Sequence, residues 1–295
     1  MDISGLGIRG ELLLDEPMSL HTSLKVGGPA DLFARPADRD DLQQLLRWLQ
    51  GRGIPWITVG KGYNLLVRDG GIRGAVISLE RFNDIELAGE KLVRSGAGAD
   101  NLDIVRFAQQ HGLGGIAFIA GIPGTVGGAI RMNAGAYGEG ILERTECITL
   151  LRGGEVREFC MDQLEFGYRH LDLQQEDVIL AATFRLAAHA AEETEEAIRR
   201  DLDLRRTKHN VGYPSAGSFF KNPAGQAAWR LIDAAGMRGE RVGGAQVSTV
   251  HSNFLVNAGG GTARDFFQLS ARVKDAVLQA SGVVLEEEVR IVGED

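Results

Sequence analysis

The sequence predicts an α+β protein of two or three domains. Three observations carry this. Apolar residues recur at helical spacing in separate segments, as with Leu42, Leu45, Leu46 and Leu49, which share one face of a helix. Short β-rich runs bounded by glycine alternate with those segments. Glycine-rich, almost uncharged stretches interrupt the alternation at 60–66 and 121–138, the first directly after a predicted strand, where α/β sheets commonly hold ligands. A chain of 295 residues, 44% hydrophobic, is long enough for a large buried core.

In chain order, His21–Pro29 (HTSLKVGGP) opens the ordered part, and Asp31–Arg35 reads as a strand. Asp38 is placed to cap a helix over Arg39–Gln50, with Gly51 or Gly53 to end it. Trp56–Gly60 reads as a buried strand running into the turn Gly60-Lys61-Gly62-Tyr63-Asn64-Leu65. Strands are expected at Ala75–Leu79 and Leu92–Gly96. A helix follows, capped by Asp100 or Asn101, running to Gln110 with Leu102, Val105 and Phe107 or Ala108 inward. Further strands are expected at Cys147–Leu151, Val156–Phe159 and Val178–Leu186. The Ala-, Glu- and Arg-rich segment Ala187–Arg206 reads as a solvated amphipathic helix between domains. After 214–223 (PSAGSFFKNP) comes a helix with Ala228, Leu231, Ile232 and Ala235 inward. Phe266–Ala280 is a helix capped by Thr262 and closed by Gly282. Val284–Val292 alternates as a strand, with Leu285, Glu287, Val289 and Ile291 on one face and Glu286, Glu288 and Arg290 on the other.

The bulk numbers exclude several classes. The formal net charge of −8 argues against a nucleic-acid binder, which needs a basic face. No apolar run approaches the roughly 20 residues of a membrane span, and the acidic N-terminal segment does not read as a signal peptide. Cys147 and Cys160 are the only cysteines. They make no disulfide framework and fit a reducing compartment, so a cytoplasmic protein is expected. No metal site is expected: the six histidines lie far apart and neither HExxH nor CxxC occurs. The GxSxG elbow, the Walker loop and GxGxxG are also absent.

What remains are the glycine stretches. Gly121–Gly138 holds six glycines in eighteen residues, interleaved with Ile122, Val126, Ile130 and Met132. A solvated linker would carry charge. This run reads either as main chain gripping a ligand through turn N–H groups or as a buried turn without one. Two such turns in one chain favour a bound phosphate or pyrophosphate, and a dinucleotide cofactor would supply the hard chemistry.

Six segments in order, HTSLKVGGPA (21–30), VGKGYNLLVRDGG (59–71), GIPGTVGGAIRMNAGAYG (121–138), YR (168–169), PSAGSFFKNP (214–223) and LEEEVRIVG (285–293), resemble the UDP-N-acetylenolpyruvoylglucosamine reductases. The likeness is to the shorter subtype, which lacks a long tyrosine loop, and it covers nearly the whole chain. The resemblance implies a two-domain α/β module (PCMH-like) that clasps FAD, of the vanillyl-alcohol-oxidase-like superfamily, plus a C-terminal α+β substrate domain. The expected segments are 1–78 and 79–190 for the two FAD subdomains and 191–295 for the substrate domain, with the last strand, 284–292, able to pack back on the FAD module.

The family's reaction, in peptidoglycan synthesis, reduces FAD with NADPH and passes hydride to the enolpyruvyl CH₂ of a UDP-N-acetylglucosamine ether. By resemblance Arg169 stabilises the enolate, Ser218 donates the proton and Glu288 supports the enol. Non-covalent FAD is expected on Gly60, Lys61, Gly62, Tyr63, Asn64, Leu65, Gly121, Pro123, Gly124, Thr125, Gly127, Gly128, Asn133, Ala134 and Gly135. Tyr168, Lys221 and Asn222 are expected at the substrate. Partners are this substrate and NADPH; no protein partner is implied. Tyr63 stands where the family has serine, so either the main chain does that work or the phenol packs elsewhere. Two rivals keep the glycine turns: another FAD oxidase of this fold, and a catalytically dead flavin- or nucleotide-sugar-binding module.

Overall fold

A computed structural model describes residues 1–136, 138–208 and 210–295; Tyr137 of the second glycine stretch and His209 lie outside the described residues. The chain forms two compact units, each discontinuous in sequence. The first gathers Met1–Leu13, Phe33–Gly60 and Ala75–Arg205, and the second Leu14–Leu32, Lys61–Gly74 and Arg206–Asp295. The expected segments 1–78, 79–190 and 191–295 are consecutive, whereas these units alternate along the chain. Helix and strand are mixed in both, as the α+β reading requires. No helix among the described residues is long and apolar enough to cross a membrane.

The first unit is built on a five-stranded antiparallel sheet. Its strands run in the order Glu155–Cys160, Thr145–Arg152, Val178–Arg185, Leu92–Gly96, Ile85–Gly89. The central strand is the most apolar, and residues 178–182 are buried throughout, as a strand covered on both faces must be. The short helix Val126–Arg131 lies against it. A Cβ on Gly127 would come within 2.7 Å of the Ala97 Cβ, so only glycine lets helix and sheet approach this closely. Trp56–Val59 pairs in parallel with residues 75–78.

Helix Arg39–Gln50 has the predicted bounds, with the Asp38 carboxylate accepting from Asp41 N at 3.1 Å. Helix Asn101–Gln110 also forms, but Ile104 rather than Leu102 is buried beside Val105 and Ala108. The helix expected over Ala187–Arg206 runs Ala191–Lys208; residues 187–188 instead pair with 113–114 as a short strand.

The cysteines correct one expectation. Cys147 and Cys160 are disulfide-bonded, with Cα atoms 3.9 Å apart. They sit directly opposite one another in the hairpin 145–160. Gly153 and Gly154, both at positive φ, form the two-residue turn that sets this register.

The second unit packs Leu24, Val26 and Leu66 with Phe219, Phe220, Phe266, Val273, Leu285 and Val289 in one core. Its main helix, Ala263–Ser281, carries the predicted Thr262 cap, completed by Asp265 as a capping box, and stops at Gly282 with φ 71°. The expected strand 284–292 is regular only over Arg290–Val292, which runs parallel to Leu65–Val67. The residues before it are tied instead to 219–221, by Lys221 N donating to Glu286 O at 2.9 Å and Glu288 N to Phe219 O at 2.8 Å. The predicted alternation survives: Leu285 and Val289 are buried and Glu286 is exposed.

Candidate active site

The second glycine stretch in the first unit is a turn followed by a helix and its stop. Thr125 is the N-cap of Val126–Arg131 and is buried. A Cβ on Gly60 would overlap the Thr125 hydroxyl. The Gly60 main chain at the end of strand Trp56–Val59 therefore lies directly against the Thr125 side chain, with no room for a Cβ between them. Glycine turns packed this closely can aim their N–H groups at a pyrophosphate. Buried beside the turn, Asn101 donates from Nδ2 to Ile122 O at 3.0 Å. Its Oδ1 has no hydrogen-bond partner among the described residues, an acceptor suited to a ligand hydroxyl or N–H. The residues present fit a dinucleotide.

Arg169 belongs to the same unit. Phe166–Gly167 and His170–Leu171 form a hairpin with Tyr168 and Arg169 as its two-residue connection. Arg169 has φ 56°, a left-handed conformation costly for a long side chain. Its guanidinium donates to the carbonyl of Asn133 (Nη1, 3.3 Å) and to that of Gly135 (Nη2, 3.0 Å). The predicted catalytic cation is thus fastened to the glycine stretch, which sequence distance alone did not reveal. Tyr168 is 57% exposed, with the Arg169 guanidinium 5.2 Å from its ring centre.

In the second unit the first glycine turn is pinned by the HTSLK segment. Gly62 has φ 65°, and a Cβ there would overlap the His21 carbonyl. Ser23 donates to Gly62 O from both its N–H (3.1 Å) and its hydroxyl (3.2 Å). Tyr63 is 39% exposed, so the phenol points away from the turn's buried side. Asn64 donates from Nδ2 to the Glu288 carbonyl at 3.1 Å, and Arg290 N returns a bond to Asn64 O at 3.1 Å. This joins the turn to the segment carrying Glu288.

Ser218 and Glu288 lie on adjacent antiparallel segments of that unit. Phe220 and Glu287 are bridge partners, and Phe219 O receives Glu288 N. Ser218 and Glu288 are both half-buried. Lys221 reaches Glu286 at 3.3 Å, and the Asn222 carbonyl oxygen of the side chain accepts from Ala228 N at 3.0 Å, starting helix Ala228–Ala234. Sequence reasoning missed Asn253. This buried residue receives Phe220 N on Oδ1 (3.0 Å), gives Nδ2 to Phe220 O (2.8 Å) and accepts Phe219 N on its own carbonyl (2.7 Å). It clamps the segment bearing Ser218 at Phe219 and Phe220. The only signal in the sequence was a lone Asn ahead of an apolar run.

Comparison with known proteins bears on this arrangement directly. Residues 209–292 match the family model "UDP-N-acetylenolpyruvoylglucosamine reductase, C-terminal domain", and residues 30–151 match "FAD binding domain". A UDP-N-acetylenolpyruvoylglucosamine reductase of Pelobacter propionicus is 72% identical over 295 residues, covering 100% of both chains. The chain belongs to the UDP-N-acetylenolpyruvoylglucosamine reductase family. The homologous reductase of Geobacter sulfurreducens is 54% identical over 98% of this chain and 96% of that one. The crystal structure of the reductase from Thermus caldophilus superposes with a TM-score of 0.82 at 33% identity, covering 96% of this chain and 99% of that one. As a reductase of this family the chain is an oxidoreductase of cell-wall synthesis with FAD as its cofactor. The cradle at Gly60, Asn101 and Thr125 has the features such a cofactor requires.

Proposed function

We propose that the protein reduces UDP-N-acetylglucosamine enolpyruvate to UDP-N-acetylmuramate, with NADPH as the reductant. When bound, FAD supplies the relay that takes hydride from NADPH and gives it to the enolpyruvyl CH₂ carbon. The residues do the rest. Hydride arrival leaves negative charge on the adjacent carbon and its carboxylate, and the Arg169 guanidinium is suited to that charge by its planar pair of donors. Ser218 gives its hydroxyl proton to that carbon and is reprotonated from solvent before the next turnover. Glu288, holding or sharing a proton, steadies the enol form. Lys221, Asn222 and Tyr168 bind the substrate. The main chain of 60–65, Asn64 included, and of Gly121, Pro123, Gly124, Thr125, Gly127, Gly128, Ala134 and Gly135 holds the cofactor, while the N–H of Asn133, expected among them, is given to Ile130 O. The enzyme works in the cytoplasm, where NADPH and UDP-sugars are available.

The observation that supports this most is the pairing in the second unit, which puts the proposed proton donor and enol-stabilising acid on neighbouring, mutually bonded segments. An FAD oxidase has no need of that pair. The test is NADPH consumption by the FAD-loaded protein with and without the enolpyruvyl substrate. Stimulation by the substrate, with one lactyl ether formed per NADPH, is expected; equal rates in both arms reject the reading.

A further inference from the structure

Asn133 occupies a position where glycine is the ordinary choice. Helix Val126–Arg131 ends in a Schellman motif, with Ala134 N donating to Ala129 O (2.8 Å) and Asn133 N to Ile130 O (3.1 Å). The residue after the C-cap must be left-handed, and Asn133 has φ 41°. Asparagine tolerates this region better than other side chains, but glycine does so at no steric cost. The helix stop alone therefore gives no reason for a side chain here. The side chain is nonetheless buried, and both ends of its amide are engaged. Oδ1 accepts from Leu142 N at 3.2 Å, and Nδ2 donates to Gly167 O at 2.9 Å.

Gly167 is the last residue before the Tyr168-Arg169 connection. The same Asn133 accepts the Arg169 Nη1 on its main-chain carbonyl. One residue therefore holds the hairpin at its neck through the side chain and the guanidinium through the backbone. The first contact holds the neck of a two-residue connection with a left-handed arginine, beside the two-pair ladder and the bond from Asp172 N to Glu165 O. Without it, the second contact would aim the guanidinium from a less firmly held base.

We propose that Asn133 is a positioning residue for the enolpyruvyl half-reaction, whose side chain works by fixing Arg169 rather than by touching cofactor or substrate. The proposal rests on Arg169 being the group that stabilises the substrate's developing charge. Displacing a catalytic group by about 1 Å can cost on the order of 10²-fold in rate.

Asn133→Gly removes the tether and leaves the helix stop sterically relaxed. With the FAD-loaded enzyme, the two half-reactions are followed by stopped flow: flavin bleaching by NADPH, and flavin reoxidation by the enolpyruvyl substrate. The expected result is a drop of roughly 10- to 100-fold in the ratio of the second rate to the first. The ratio cancels any general loss of cofactor binding. Substrate binding to the oxidised holoenzyme, read from the flavin spectrum, should weaken in parallel. In the double variant with Arg169→Lys, Asn133→Gly should cost little more than Arg169→Lys alone, because both act on the same guanidinium. If Asn133→Gly slows both halves equally, or its effect adds in full to that of Arg169→Lys, Asn133 is merely structural and the proposal falls. If Arg169→Lys alone leaves the ratio unchanged, the assignment of Arg169 fails, and the proposal with it. Should Asn133→Gly not retain FAD, Asn133→Asp keeps the acceptor for Leu142, replaces the donor to Gly167 by a carboxylate oxygen that repels that carbonyl, and is read by the same ratio.

Discussion

Ser218 carries the sharpest expectation at the scale of single residues. Its segment is held at Phe219 and Phe220 by hydrogen bonds with the side chain and carbonyl of Asn253 and by Glu288 N. Removing the hydroxyl in Ser218→Ala therefore leaves the scaffold intact. Reduction of the flavin by NADPH should persist while reoxidation by the enolpyruvyl substrate falls about 10²–10⁴-fold, the usual weight of a general acid. Equal losses in both halves, measured by stopped flow, would assign Ser218 a structural role. The residues proposed here are named from the motifs in which they sit: YR, GSFFKNP and LEEEVR. Asn253 and Asn133 are less legible. Each does its work by satisfying backbone groups distant in sequence, at Phe220 and Gly167, and no local pattern encodes which carbonyl a buried amide will meet.

Two helices are bounded legibly in the sequence because their caps are local. Asp38 and Gly51, and Thr262 and Gly282, bound their helices as expected. The last strand was overextended because alternation records which residues face inward, not whether a neighbour continues the ladder. The disulfide of hairpin 145–160 is written in its spacing. Cys147 and Cys160 are equidistant from the Gly153-Gly154 turn, so a two-residue turn must set them opposite. The native protein should show no reactive thiol. Cys160→Ser should then lose about 2–4 kcal/mol relative to the oxidised form; a midpoint of denaturation unmoved from that of the oxidised protein would show that the bond constrains nothing. Helix Arg39–Gln50 gives a pH prediction. Burial works against the charged form of Asp41, yet N–H donors from Arg9, Ala37 and Gly10 outweigh it and hold its carboxyl below the usual value. Those bonds measure 3.0, 3.0 and 2.7 Å. A depressed folded pKa contributes stability that is complete above the unfolded value, about 3.9, and is lost as pH falls through the folded one. Thermal stability should therefore drop below about pH 4, and Asp41→Asn, less stable at neutral pH, should flatten that acid limb. An unchanged slope would mean other carboxylates govern it.

The alternation of the two units along the chain limits what any contiguous piece can do alone. The second unit draws Leu24, Val26 and Leu66 into its core from residues far ahead of its main run, 206–295. Strand Arg290–Val292 has its parallel partner at Leu65–Val67. The Asp69 carboxylate receives Ala263 N and Arg264 N, both at 2.9 Å, at the start of the long helix, and Leu24 O takes Asn257 Nδ2 at 3.1 Å. A fragment 206–295 would lose all of these at once. Burying each of the three apolar side chains is worth about 1.5–3 kcal/mol, and each buried donor left unmet costs about 1–3 kcal/mol. A domain's whole margin is about 5–15 kcal/mol, so the sum reaches that margin. Fragment 206–295 should accordingly show helical far-ultraviolet dichroism without a cooperative melt, and its amides should exchange rapidly. The boundary near 190 suggested by composition gives a longer fragment, 191–295, that lacks the same three segments and should behave alike. Cooperative unfolding of either fragment within a few degrees of the full chain would show that residues 14–32 and 61–74 are attachments to this unit rather than parts of its core.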